Sequence, residues 1–199
     1  MDNESIAEDE SRDVALMLRV REGDEEAFSE LYLRNYRRLQ DFFYGLSRDP
    51  EAAVDLCQET FIRIWKIRLK YAATGSFPAY LFSIARHIWL ERCRAQKKLF
   101  RVGFFTRVEP HHESSAANEA YLPDAVAHHS DLQARLFEAL DELPEEQRMA
   151  FVLRNLEGFS AAEAASVMRC PVNTVRSRKI LAMKKLRRAL KAYFYSTTD

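Results

Sequence analysis

Near the C-terminal end the chain gathers side chains of the kind that read DNA: Asn173, Thr174, Arg176, Ser177, Arg178, Ile180 and Lys184. An arginine there can grip guanine, an asparagine or serine can bond a base or a phosphate, and an isoleucine can touch a thymine methyl. A second set, Arg86, His87, Trp89, Arg92, Arg94, Lys97 and Lys98, interleaves cations with aromatic side chains. Opened DNA suits such a surface, because bases stack on rings while cations follow the backbone. A third set, Asp55, Gln58, Glu59 and Ile62, offers acids, an amide and an apolar side chain. It suits an arginine-rich partner helix, although spacing alone does not separate that role from a solvated face. No nucleophile–base pair and no phosphate loop accompanies these sets, so no catalytic residue is assigned and the chain does not read as an enzyme.

The elements that must position these side chains are all helical. Leu143-Pro144 followed by Glu145 and Glu146 reads as a helix start, with the acids at the positive end. Met149, Ala150, Val152, Leu153 and Leu156 continue it at helical spacing, and Gly158 stops it. Ser160 caps the next helix with Glu163 as its capping-box partner. Small residues Ala161, Ala164 and Ala165 line its packing face, and Arg169-Cys170-Pro171 breaks it. A basic helix follows from near Val172, with Val172, Val175, Ala182, Leu186 and Ala189 expected toward the core. Two helices around a tight break, the second basic, describe a helix-turn-helix whose second helix enters the major groove. The bland alternative is a solvated basic helix packed only against protein.

Upstream, residues 1–12 read as a disordered acidic leader, and Asp13–Arg21 as a short amphipathic helix. Gly23-Asp24 ends it and caps a helix with Ala27, Phe28, Leu31, Tyr32, Leu39, Phe42, Phe43 and Leu46 as core. Asp49-Pro50-Glu51 starts a third helix to about Lys70, packing through Val54, Cys57, Phe61, Ile64 and Trp65. Ser76 caps a fourth, in which Tyr80, Leu81 and Ile84 read as core. Residues 99–129 read as a linker, and 130–195 as a second domain after an N-terminal domain over 13–98. The expected fold is thus all-α: two small helical domains, a bundle and a helix-turn-helix domain, on a flexible linker.

Composition narrows the classes further. The 199 residues balance 30 Lys+Arg against 30 Asp+Glu, so net charge gives no sign of a polyanion partner, whereas the local basic runs do. Hydrophobic residues make up 47%, enough for real cores, and only five glycines suit a helical protein. Cys57, Cys93 and Cys170 form no CxxC and read as buried thiols of a reducing cytosol. The acidic start lacks a signal peptide and no apolar run is long enough to span a membrane. His111-His112 and His128-His129 could in principle form a metal set, but flexible pairs in a linker are weak evidence, and no metal or cofactor is assigned.

Three motifs carry a resemblance to the extracytoplasmic-function (ECF) sigma factors, the small members of the bacterial sigma-70 family. Asp55, Leu56, Gln58, Glu59, Phe61, Ile64 and Trp65 resemble the D-[LV]-x-Q-[ED]-x-F-x-x-[LIV]-W motif of region 2. Phe77, Tyr80-Leu81, Ile84-Ala85, His87, Glu91 and Arg94 resemble its −10-reading segment, with His87 where asparagine is usual. Gly158-Phe159-Ser160 and Pro171-Val172-Asn173-Thr174-Val175-Arg176-Ser177-Arg178 resemble region 4. Arg169 stands where a glycine is usual, which places an arginine in a left-handed turn; Lys179 stands where an apolar residue is usual.

The resemblance implies a sigma factor of the bacterial cytoplasm that directs promoter-specific initiation. Asp55, Gln58, Glu59 and Ile62 would bind the β′ clamp helices of core RNA polymerase, and the C-terminal domain the β flap. The helix-turn-helix set would recognise the −35 element, and the set from Arg86 to Lys98 the −10 element, with a base flipped into the loop at about Lys70–Ser76. A membrane-attached or soluble anti-sigma factor is a further implied partner, without membrane insertion of this chain itself. Two rivals remain: a helix-turn-helix regulator acting without polymerase, and a histidine metalloprotein or helical enzyme.

Overall fold

The computed structural model describes residues 3–101 and 130–196; the expected linker beyond Arg101, with its four histidines, lies outside the described residues. The described chain forms eight α-helices and no strand: α1 (Asn3–Arg21), α2 (Glu25–Ser47), α3 (Pro50–Ile67), α4 (Phe77–Arg101), α5 (Ser130–Asp141), α6 (Glu145–Phe151), α7 (Ala161–Met168) and α8 (Val172–Ser196). A 3-10 turn over Arg68–Lys70 follows α3, and a π turn over Val152–Leu156 follows α6.

Local chemistry sets most of the boundaries. Asp24 accepts a hydrogen bond from the Ala27 amide at 2.9 Å and caps α2. The carboxylate of Asp49 accepts from the Glu51 and Ala52 amides, with Pro50 in the first turn of α3. The Ser160–Glu163 capping box is present in both directions, at 3.2 and 2.8 Å. Each cap satisfies amides that the first helical turn would otherwise leave unpaired.

Three sequence expectations are corrected. Helix α1 begins at Asn3, so most of the stretch read as a disordered leader is helical. Its acids sit toward the helix N-terminus, where the macrodipole favours them, and Arg12 pairs with Glu30 of α2. Leu156, placed on the apolar stripe, is 52% exposed. The π turn inserts an extra residue, which buries Val152 and Leu153 together and rotates Leu156 outward. Ala189, expected in the core, is exposed, because the core-facing stripe of α8 ends at Leu186.

The N-terminal domain packs Leu31, Phe42, Phe61, Ile64, Phe77, Leu81, Phe82 and Ile88 in its centre. Asp13 is buried and its carboxylate accepts from Arg34 at 2.6 Å and Asn35 at 3.0 Å, tying α1 to α2. In the C-terminal domain Leu140, Leu143, Phe151, Ala182 and Leu186 form one small cluster. Its other buried side chains, among them Val152, Leu153, Phe159, Val167 and Val175, join the core of α1–α4 without a break. The two domains therefore share one hydrophobic interior, with α4 lying on α7 and α2 on the π turn.

Arginines stitch this junction. The Arg38 guanidinium lies 5.1 Å from the Phe82 ring and 4.8 Å from the Phe159 ring. It donates to the Glu157 carboxylate at 3.2 Å and to the Glu157 carbonyl at 2.9 Å. Arg148 donates to the Leu46 carbonyl and to Asp141. Arg48 stacks on Phe137 of α5, 3.3 Å from the ring centroid, and on Tyr44 of its own helix. Burial lowers the pKa of Arg48.

Among the described residues, two that are not glycine, Arg48 and Arg169, adopt positive φ, 61° and 50° respectively, each closing a helix. A left-handed turn costs an L-residue about 1 kcal/mol. Arg169 is exposed and gains nothing visible in return, so Arg169→Gly is expected to raise stability by about 0.5–1 kcal/mol, read as a small rise in Tm. Arg48→Gly relieves the same strain but removes the stack on Phe137, and is expected to lower Tm.

Burial raises the carboxyl of Glu157 to about 7, against the opposing pull of Arg38 and with help from Asp41. Arg34 and Arg37 line the same groove. An exposed Glu157 would titrate near its ordinary 4.5. The packed form thus holds a proton that the separated form releases, and its advantage is complete below about 4.5 and lost as pH rises through about 7. Small-angle scattering between pH 5 and 8 should show the domains loosening with rising pH, and Glu157→Gln should flatten that dependence.

Candidate functional site

Helix α7 packs against both α4 and α8, and its small side chains Ala164 and Ala165 are buried. The left-handed Arg169 and then Pro171 turn the chain from α7 into α8. On α8, Val175, Ala182 and Leu186 face inward. Asn173, Arg176, Ser177, Ile180 and Lys184 are exposed, and Thr174 is half-buried beside them. Arg176 Nη1 lies 3.4 Å from Asn173 Oδ1, and Ser177 donates to the Asn173 carbonyl at 2.9 Å, so the early turns of α8 carry a mutually braced polar face. Ile180 is 65% exposed and Leu181 47%, so apolar side chains adjoin the polar ones there.

Arg178 stands apart from this face. It is half-buried, pairs with Glu146 at 2.8 Å and reaches Cys170 Sγ at 3.5 Å.

Along α4 the sequence-predicted set also divides. His87, Arg94, Lys97 and Lys98 are exposed and Arg92 is half-buried. His87 lies 3.2 Å from Glu91, which also pairs with Arg63 of α3 at 3.1 Å. Trp89 is buried, and its indole N–H donates to Glu145. Arg86 is half-buried and lies 3.4 Å from Glu146. Cys93 Sγ lies 3.4 Å from Glu145, and burial, helped by that carboxylate, pushes its thiol up to about 12. Burial alone does the same to Cys57.

On α3, Asp55, Gln58, Glu59 and Ile62 are all exposed on one face, while Leu56, Cys57, Phe61 and Ile64 are buried on the other. Trp65 is braced by Phe28 at 5.0 Å and by Arg68 at 4.5 Å. Glu59 pairs with Arg63 one turn on. The loop after the 3-10 turn anchors on the buried Tyr71, whose ring meets Tyr80 at 4.9 Å, and leaves Ala72–Gly75 exposed.

The domain junction escaped the sequence reading. Glu145 and Glu146 read there as helix-start acids, and the sequence reading gives Arg38 and Glu157 no partner. Their partners lie more than fifty residues away in sequence, at separations of 56, 60 and 119 for Glu145–Trp89, Glu146–Arg86 and Glu157–Arg38. No local signal marks such pairs. Among the described residues, no group of three or more histidine, cysteine, aspartate and glutamate side chains could hold a metal ion. No described helix is long and apolar enough to cross a membrane.

Residues 31–99 match the family described as sigma-70 region 2, and residues 133–186 match sigma-70, region 4. The ECF RNA polymerase sigma-E factor of Salmonella typhimurium is 31% identical over 83% of this chain and 87% of its own length. The RNA polymerase sigma-H factor of Pseudomonas aeruginosa is 28% identical over 91% of this chain and 95% of its own. Among solved structures, the sigma factor RpoE in complex with the anti-sigma factor NepR from Bartonella quintana superposes with a TM-score of 0.68 at 27% identity, covering 82% of this chain and 96% of that one. Both region matches fall on the helices that carry the candidate surfaces, and the fold is that of the solved sigma factor: the chain belongs to the ECF sigma factors of the sigma-70 family.

Proposed function

We propose that this chain directs promoter-specific transcription initiation by binding core RNA polymerase, recognising a −35 element through α8 and opening a −10 element along α4. The observation that carries the reading is the three-way division of exposed faces: an acidic-amide face on α3, a basic face on α4 and a braced polar face on α8. A DNA-binding regulator acting alone has no use for the first of these, which favours the polymerase-bound reading over that rival.

Asn173, Thr174, Arg176, Ser177, Ile180 and Lys184 would meet the −35 duplex, Arg176 as the base-gripping residue. Arg178 would join them once released from Glu146. His87, Arg92, Arg94, Lys97 and Lys98 would follow the −10 strands, with Arg86 and Trp89 joining them on the same condition. The exposed loop over 72–75 would receive an extruded base, whose unstacking cost of a few kcal/mol is offset by contacts in the receiving site. Asp55, Gln58, Glu59 and Ile62 would dock the β′ clamp helices, and the C-terminal domain the β flap. The solved relative RpoE, bound to the anti-sigma factor NepR, supports an anti-sigma partner for this chain as well. The bacterial cytoplasm, where polymerase works, is the proposed location.

Run-off transcription with purified core polymerase tests the reading. Initiation at discrete promoters is expected only when this chain is added. Arg176→Ala should weaken binding of the holoenzyme to its −35 element by about 1–3 kcal/mol; unchanged affinity would remove Arg176 from the reading set. Asp55→Ala with Gln58→Ala should weaken core binding in a pull-down while leaving the thermal melt unchanged.

A further inference from the structure

The π turn leaves an open groove against α2. Arg34, Arg37 and Arg38 stand three and four residues apart on α2, so their side chains share one face. Asn155, Leu156 and Glu157 form the facing wall, and the groove has a volume of about 660 Å³. Small-molecule sites ordinarily enclose roughly 300–1,000 Å³. None of these residues belongs to the α3, α4 or α8 sets of the proposed function.

A row of arginines on a helix is usually a solvated face, but here two of the three guanidinium groups are held in place by the fold itself. Arg34 donates to the buried carboxylate of Asp13 at 2.6 Å. Arg38 lies on the Phe82 and Phe159 rings and bonds Glu157. Ordering a long side chain costs a ligand affinity, and cations fixed in advance lessen that cost. Arg37 is exposed and makes no ion pair among the described residues. The acids that line the groove, Asp41 and Glu157, do not balance these cations. Burial pushes Glu157 up to about 7, so near neutral pH its carboxyl is only partly ionised. Leu156 is 52% exposed because the π turn rotates it out of the core, and π turns recur at functional sites.

A phosphate group suits such a cluster. It is a compact anion with several terminal oxygens, and guanidinium forks bond such oxygens in pairs. On the facing wall, Leu156 and the Asn155 amide suit the apolar face and the polar edge of an organic group. We propose that the groove between α2 and the π turn is a binding site for a phosphorylated small molecule of nucleotide size. Its phosphates would lie among Arg34, Arg37 and Arg38, and its organic part against Asn155 and Leu156.

The test is calorimetric titration of the full-length chain in magnesium-free buffer at about 0.15 M salt, where exposed charges are screened beyond roughly 8 Å. ATP is the probe, and pyrophosphate and adenosine represent its two halves. ATP is expected to fill one site with a Kd below about 1 mM, pyrophosphate to bind more weakly, and adenosine not to saturate. Arg37→Gln should weaken ATP binding at least about tenfold, the loss of a charge-assisted hydrogen bond. Leu156→Ser should weaken ATP binding and leave pyrophosphate binding unchanged. Lys185→Gln removes an exposed cation of α8 outside the groove and should change neither. All three substituted side chains are exposed, so the thermal melt should stay at its wild-type position. The proposal is overturned if ATP does not saturate below about 1 mM, if Arg37→Gln weakens it no more than Lys185→Gln does, or if Leu156→Ser leaves it unchanged. Run-off transcription judges the proposed function and does not bear on this site.

Discussion

The structure turns on one side chain, the guanidinium of Arg38. It sits within reach of the faces of Phe82 and Phe159 and bonds both the carboxylate and the carbonyl of Glu157. One ring belongs to α4 and the other to the turn that leads into α7, so this single cation is shared between the domains. Cation–π contacts are worth about 0.5–2 kcal/mol and gain as water is excluded. Phe82 and Phe159 also meet edge to face at 4.9 Å, and both are buried. Burial of Glu157 opposes the pair, because a carboxylate removed from water is destabilised, and its raised pKa is the measure of that opposition.

Several features follow from that arrangement. A helix that packs against a second domain on one side cannot present at once all the cations proposed to follow DNA. Helix α4 resolves this by sector: His87, Arg94, Lys97 and Lys98 stay in water, while Arg86, Trp89 and Cys93 face the junction. Helix α8 shows the same division, with Arg176 exposed and Arg178 turned inward. The acidic-amide face of α3 remains exposed while the domains are packed together. The surface proposed to meet polymerase first is thus the one that closure leaves available. This ordering allows docking on core to precede, and to favour, separation of the domains.

Much of this was legible in the chain itself. Caps at Asp24, Asp49 and Ser160 act through atoms within three residues and could be read directly, as could the apolar stripes of α2, α3 and α4. The exposed face of α3 followed from spacing, and the left-handed turn at Arg169 from the family pattern, in which a glycine is usual at that position. The helix over 3–12 was missed because it draws support from the helix macrodipole and from the pairing of Arg12 with Glu30, which the local pattern does not contain. Leu156 was misplaced because a π turn shifts the helical period, and no residue type announces one. The joined core was invisible for a different reason. Phe159 reads equally well as the core of its own domain or as the edge of another, and Arg38 and Glu157 reveal their pairing only once the fold has brought them together.

The central claim is that the free chain is closed through this junction and that binding to core polymerase opens it. Distance measurement between fluorophores at Lys66→Cys on α3 and Ala162→Cys on α7, both exposed sites, addresses it directly. The closed packing predicts one short distance for the free chain and a clearly longer one after addition of core polymerase, under conditions in which the complex initiates transcription. An initiating complex in which that distance is unchanged from the free chain would contradict it.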